Sequence, residues 1–262
     1  MQFFSLDQRA PEVSFQEAAM RGLAPDRGLY FPKEIPVFPE AFWKGVHQRP
    51  FQEVAFELMK AYTGDSLPDR QLGEILEATL DFEFPLVWLD TQIGVLELYH
   101  GPTMAFKDVG AAFMAGCLGY FSRRLETDLT VLVATSGDTG GAVANGFLGV
   151  PGTEVVILYP EGKVSDIQER QLTTLGQNIR ALRVDGTFDD CQDMVKKAFL
   201  DPGLREKRNL TSANSINVAR WLPQLLYYVR AYQQMDPNTE PPVFSVPSGN
   251  FGNICAGILA WR

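Results

Sequence analysis

Lys107 ends the run HGPTMAFK and opens the run KDVG, with Phe106 before it and Asp108 after it. A lysine where a loop enters a helix, beside an aromatic ring, is a candidate amine for Schiff-base chemistry. Taken alone it is more often an ordinary surface lysine, and His100 is more often a hydrogen-bonded structural histidine. A second run, ATSGDTGGAVANGF from residue 134, is small, hydroxylic and glycine-rich. Backbone N–H groups at a helix start attract anions, so Thr135, Ser136, Asp138 and Thr139 are candidates for holding a carboxylate or phosphate. Asp138 as a plain helix cap is an equally good reading. A third run, VPSGNFGN from residue 246, could cradle a phosphate through Ser248, Gly249, Asn250, Phe251, Gly252 and Asn253. It lacks the lysine of a nucleoside-triphosphate loop and the G-x-G-x-x-G spacing of a dinucleotide site. A tight strand-to-helix turn can also be glycine-rich for steric reasons alone.

Each run needs an element on either side to hold it. The apolar stretch Ile93–Tyr99 predicts a strand leading to Lys107, and Asp108–Arg124 a helix leading away, with Gly110, Ala111, Ala112, Ala115 and Gly116 allowing close packing. Leu129–Ala134 is continuously apolar, which predicts a strand buried on both faces. The pattern then alternates: helix from Gly140, strand Glu154–Tyr159, helix Ser165–Leu175, strand Asn178–Val184, and helices Phe188–Leu200 and Ile216–Gln234. Pro242–Val246 reads as a further strand and Gly252 as a helix start. Repeated β–α–β units imply a parallel sheet with helices on both faces. Ligands bind such sheets at the carboxyl ends of the strands, where all three runs fall. An amine for an aldehyde, a cup for a phosphate and a seat for a carboxylate are together what pyridoxal 5′-phosphate and an amino-acid substrate need.

Residues 1–90 read differently. Helical stripes at Phe51–Tyr62 and from Pro68 to Leu80, with a loop-like stretch Pro25–Pro39, suggest an N-terminal helical subdomain, leaving 91–262 as the α/β region. The 262 residues include 23 basic and 32 acidic side chains, a net charge of −9, which argues against a nucleic-acid partner. Three scattered cysteines and two histidines give neither a disulfide framework nor a metal site. No signal sequence or membrane span is visible, and a cytoplasmic location is expected. The last residues, NICAGILAWR, read as two helical turns with no stop signal, which predicts an incomplete C-terminus.

HGPTMAFKD, SGDTGGA and PSGNFGN, in this order, resemble the threonine synthase family. Its members are pyridoxal-phosphate enzymes of the tryptophan-synthase-β-like, fold type II superfamily. APEVSFQEAAMRGLAPDRGLYFP near the start, DGTFDDCQDMVKKAF at 185–199 and SANSINVARWLPQLLYY at 212–228 resemble the longer enterobacterial and fungal type. The resemblance implies conversion of O-phospho-L-homoserine and water to L-threonine and phosphate by γ-elimination and β-hydration. It implies that Lys107 bonds the cofactor and that Ser248–Asn253 hold the cofactor phosphate. It implies too that Thr135, Ser136, Asp138 and Thr139 lie at the substrate carboxylate and the cofactor ring. Asn214, Ser215, Arg220, Lys163 and Ser165 are candidates for the substrate phosphate, Arg220 for its fork of donors. The family's chains continue past the position of Arg262, and a hydroxyl facing the pyridine nitrogen is expected there. A phospho-lyase giving 2-oxobutanoate, ammonia and phosphate shares these motifs, and a non-catalytic ligand-binding fragment is the remaining alternative.

Overall fold

The computed structural model describes all residues from Met1 to Arg262. The chain opens with β1 (Gln2–Ser5), β2 (Val13–Ser14), α1 (Phe15–Arg21) and β3 (Tyr30–Pro32), the strands pairing antiparallel in the order β2-β1-β3. Ser14 caps α1 by accepting from the Glu17 amide. Then come α2 (Glu40–Gly45), α3 (Phe51–Thr63) and α4 (Asp69–Thr79). The expected stripes on α3 and α4 are buried as Val54, Leu58, Met59 and Leu72, Ile75, Leu76. The small N-terminal sheet is not evident from the sequence, in which Pro25–Pro39 reads as loop.

A short hairpin, β4 (Leu86–Trp88) and β5 (Gly94–Leu96), leads into α5 (Lys107–Leu125). The strand expected at Ile93–Tyr99 is therefore three residues long and pairs antiparallel with β4, outside the parallel sheet. That sheet is built from β6 (Leu129–Ala134), β7 (Thr153–Pro160), β8 (Ile179–Val184) and β9 (Asn209–Ser212). Between its strands run α6 (Asp138–Phe147), α7 (Asp166–Thr173), α8 (Phe188–Leu200) and α9 (Pro202–Lys207). All strand pairs are parallel, in the order β8-β7-β6-β9.

Alternation along the strands sends side chains to two cores. Val131, Val133, Val155 and Ile157 join the large core under α5 and α6, which runs on through α1, α3 and α4. Leu132, Ala134 and Leu158 face Cys191 and Val195 of α8 on the other side. Helices thus cover both faces, and the N-terminal residues share the main core.

Two further expectations are corrected. The helix expected over Ile216–Gln234 is broken into α10 (Val218–Trp221), a 3-10 turn (Leu222–Gln224) and α11 (Leu225–Gln233). Pro223 sits in that turn; it has no N–H to continue the α-helical ladder. Pro242–Val246 forms no strand: it has no partner, and Val243 is 97% exposed. The edge of β6 opposite β7 is taken by β9, whose polar start hid it from the sequence reading. The last helix, α12 (Gly252–Trp261), starts where expected.

Candidate active site

The chain order sets where a ligand crevice forms. It moves outward from β6 through β7 to β8, then returns to lay β9 on the other side of β6. The loops after β6 and β9 therefore diverge at a topological switch point, the place where open α/β sheets bind ligands. The loop after β6 carries Thr135–Gly137, and the loop after β9 carries Asn214 and Ser215. Asn214 ties the two loops together: its Nδ2 donates to the Ala134 carbonyl at 3.0 Å.

Lys107 is the first residue of α5, and its Nζ lies 3.6 Å from Asp138 Oδ2 at the start of α6. Asp138 is itself oriented. Gln168 of α7 donates through Nε2 to Asp138 Oδ1 at 2.8 Å, while Gln168 Oε1 accepts from the Ser165 amide. Ser165 is the N-cap of α7 in a capping box with Gln168. Lys163 is exposed on the same rim, two residues before that cap.

Thr135 is buried, and its hydroxyl is occupied by the loop's own backbone. It accepts from the Gly137 and Gly140 amides and donates to the Gly137 carbonyl. It braces the turn; Ser136, Asp138 and Thr139 are the residues left accessible. Gly137 has φ 155°, at the edge of the left-handed side that favours glycine, and a Cβ there would strike the Gln168 amide.

Arg220 lies beneath the start of α5, 2% exposed, with Nη1 donating to the Lys107 carbonyl at 3.4 Å. Its Nε is buried and has no partner, and no carboxylate forms an ion pair with it. Burial pushes its pKa down to about 10, still leaving a cation at neutral pH. Beside it, buried Tyr227 donates to the Phe106 carbonyl, and burial drives its phenol pKa upward. Buried Asp108 accepts from the Thr103 amide at 3.0 Å and from the Thr103 hydroxyl.

The glycine loop shows a contrast between its two glycines. A Cβ on Gly249 would meet nothing within 4 Å, whereas one on Gly252 would lie 3.3 Å from Trp221 Cβ and 3.8 Å from Ser215 Cβ. The chain's own packing gives no reason for a glycine at 249, so it leaves room that an added side chain would fill. Phe251 adopts φ 55°, exposed, and turns the loop into α12. Asn250 is exposed and Ser248 half-buried. Asn253 points its side chain inward, accepting from Tyr228 and donating to Gln224.

The structure therefore joins Lys107 with Asp138 and Arg220, Ser215 with Gly252, and Asn214 with the end of β6. Ser165 reaches this group only through Gln168, and Lys163 is exposed two residues before it. Gln168, Thr103, Asp108, Gln224 and Tyr227 escaped the sequence reading as site residues. Two signals were there: Ser165-x-x-Gln168 is a capping-box spacing, and Arg220, Gln224 and Tyr227 fall at i, i+4 and i+7, one helical face.

An α/β protein with an amine at the switch point of a parallel sheet, and anion-type loops around it, defines a class of cofactor-binding enzymes. The chain belongs to the pyridoxal-phosphate dependent enzymes, whose family pattern matches residues 88–262. Residues 2–80 match a second pattern, that of the threonine synthase N terminus. The chain is 43% identical to threonine synthase of Escherichia coli (strain K12), over 99% of this chain and 60% of that protein. It is 42% identical to threonine synthase of Haemophilus influenzae over the same shares. Among solved structures it superposes on threonine synthase from Escherichia coli with a TM-score of 0.92 at 43% identity, covering 100% of this chain and 61% of that one. For the pyridoxal-phosphate-bound threonine synthase from Brucella melitensis the TM-score is 0.93 at 38% identity, with 100% and 57% covered. The fold is accordingly fold type II. The chain spans about 60% of the length of the curated relatives it matches.

Proposed function

We propose that the chain carries the Lys107 half of a threonine synthase site, acting on O-phospho-L-homoserine and water to give L-threonine and phosphate. The observation that carries this reading is the meeting of Lys107 Nζ and Asp138 Oδ2, 3.6 Å apart, at the switch point of the sheet. The family membership and the threonine synthase relatives support it. The residues fit pyridoxal 5′-phosphate: Lys107 has an accessible amine for its aldehyde, and the open space at Gly249 suits its phosphate among the backbone amides of Ser248–Asn253. When bound, that cofactor supplies an electron sink for carbanion chemistry.

The chain's own residues do the rest. The backbone at Ser136–Thr139, braced by Thr135, receives the substrate carboxylate at the start of α6. Arg220, with Asn214 and Ser215 beside the same loop, is assigned to the substrate phosphate, because a buried guanidinium with an unpartnered Nε and no carboxylate at ion-pair distance gains from an arriving anion. Lys163 and Ser165 are proposed as the outer rim of that phosphate site. The Lys107 amine moves the protons: the Cγ–O bond breaks with its electron pair leaving on phosphate, one hydrogen leaves Cβ as a proton, Cγ gains one proton to end as a methyl group, and water adds its oxygen to Cβ while giving up a proton. The division into 1–90 and 91–262 and a cytoplasmic location belong to the same proposal. No helix is long and apolar enough to cross a membrane.

The test is a product assay with O-phosphohomoserine. Threonine and phosphate in equal amounts support the reading; 2-oxobutanoate with ammonia replaces it by the phospho-lyase, and no turnover with retained cofactor binding replaces it by a ligand-binding chain. Arg220→Ala should lower kcat/KM on O-phosphohomoserine by about ten- to a hundred-fold, the worth of one charge-assisted hydrogen bond. Arg220→Lys should restore only part, since a point charge cannot copy a fork.

A further inference from the structure

Gln224 lies on neither of the loops assigned to the cofactor, yet it touches both of their supports. It is buried on the 3-10 turn that Pro223 introduces between α10 and α11. Its Nε2 donates to the Arg220 carbonyl at 3.2 Å, and its Oε1 accepts from Asn253 Nδ2 at 3.2 Å. Each end of the amide is therefore committed, and flipping it would oppose donor to donor and acceptor to acceptor.

From the first contact the path runs to Lys107. The Arg220 carbonyl packs against Gly110 of α5 so closely that a Cβ there could not be accommodated, and the Arg220 guanidinium holds the Lys107 carbonyl. From the second contact it runs to the glycine loop. Asn253, the second residue of α12, is fixed further by Tyr228, whose hydroxyl donates to its Oδ1 at 2.6 Å.

We propose that Gln224 is a positioning residue that fixes the spacing between the Lys107 amine and the Ser248–Asn253 phosphate loop. This rests on the cofactor reading above. One rigid ligand bonded at both ends needs its two anchors at a set separation, and misplacing either sacrifices the gain from binding through both. Gln224 touches no reacting atom in this role. It acts by making two loops, far apart in sequence, move as one body.

The readout that separates this from a merely structural role compares two probes in the intact chain, pyridoxal 5′-phosphate and pyridoxal, which lacks the phosphate. Borohydride trapping on Lys107 is measured against probe concentration. For Gln224→Leu, about the same volume without donor or acceptor, apparent affinity for pyridoxal 5′-phosphate should fall about tenfold or more, while that for pyridoxal stays unchanged. Asn253→Ala, which cuts the link on the other side, should do the same, and the double variant should be no worse than either single one. Equal losses for both probes, or additive losses in the double variant, would overturn the proposal. If Gln224→Leu fails to fold, Asn253→Ala alone decides it: an unchanged ratio between the probes overturns it. If the wild-type chain traps neither probe, the cofactor reading itself has failed, and this inference with it.

Discussion

Behind Lys107, the start of α5 is held by three buried side chains: Asp108 on the Thr103 turn, Tyr227 on the Phe106 carbonyl, Arg220 on the Lys107 carbonyl. At the start of α12, by contrast, Ser248–Phe251 is mostly exposed coil, anchored at its far end by Asn253. The first region fixes a reactive atom through bonds made within the chain, with only Arg220 Nε among them left unpartnered. The second presents exposed backbone, with nothing within 4 Å of a Cβ at Gly249, and is the part proposed to take the cofactor phosphate. A covalent anchor gains from preorganisation, because a misplaced amine loses reactivity steeply. An anion cup must leave its N–H groups unpaired to have something to offer.

Five changes would break or sharpen that contrast. The largest effect falls on Lys107→Ala, which should abolish borohydride trapping of pyridoxal 5′-phosphate while leaving urea stability near wild type. Asp108→Ala comes next: losing a buried carboxylate that holds the Thr103 amide and hydroxyl should destabilise the chain by about 2–4 kcal/mol, read by urea unfolding. Arg220→Met, which keeps the stem but removes a buried charge that has no carboxylate at ion-pair distance, should stabilise the ligand-free chain by about 1–2 kcal/mol. The same change should weaken the binding of O-phosphohomoserine. A loss of stability would mean that the Lys107 carbonyl bond outweighs the buried charge. The smallest effect on the fold is expected at Gly249→Val, within about 0.5 kcal/mol, since the new side chain enters open space. Its cost appears as weaker pyridoxal 5′-phosphate binding, by about tenfold or more. Gly252→Val, which crowds Trp221, should lower both stability and binding.

The same contrast explains what the sequence made legible. Leu129–Ala134 and Phe188–Leu200 match their expected ends residue for residue, because both rest on local pattern: a run buried on two faces, and a stripe opened by the Thr187 capping box. The three chemical runs stood out for a similar reason, since loops that must approach a ligand are confined to small residues. The supports of Lys107 were harder to see. Tyr227 sits 120 residues after Lys107 (227 against 107), and nothing in its neighbourhood announces which carbonyl it will find. Arg220 reads as a ligand for phosphate because of its type, and that is the role proposed for it. Its burial under α5 and its bond to the Lys107 carbonyl depend on the break at Pro223, which the apolar periodicity of Ile216–Gln234 masks. Pro242–Val246 fails in the opposite sense: its apolar residues suggest a strand, but a strand exists only where a partner exchanges hydrogen bonds, and none pairs with these residues.

Peptide mapping tests the central claim most directly. The chain is incubated with pyridoxal 5′-phosphate, reduced with borohydride, digested and analysed by mass. The account predicts a single modified lysine, in the peptide that contains Phe106, Lys107 and Asp108. Modification of an exposed lysine such as Lys163 at equal or greater yield, or no modification at all, would contradict it.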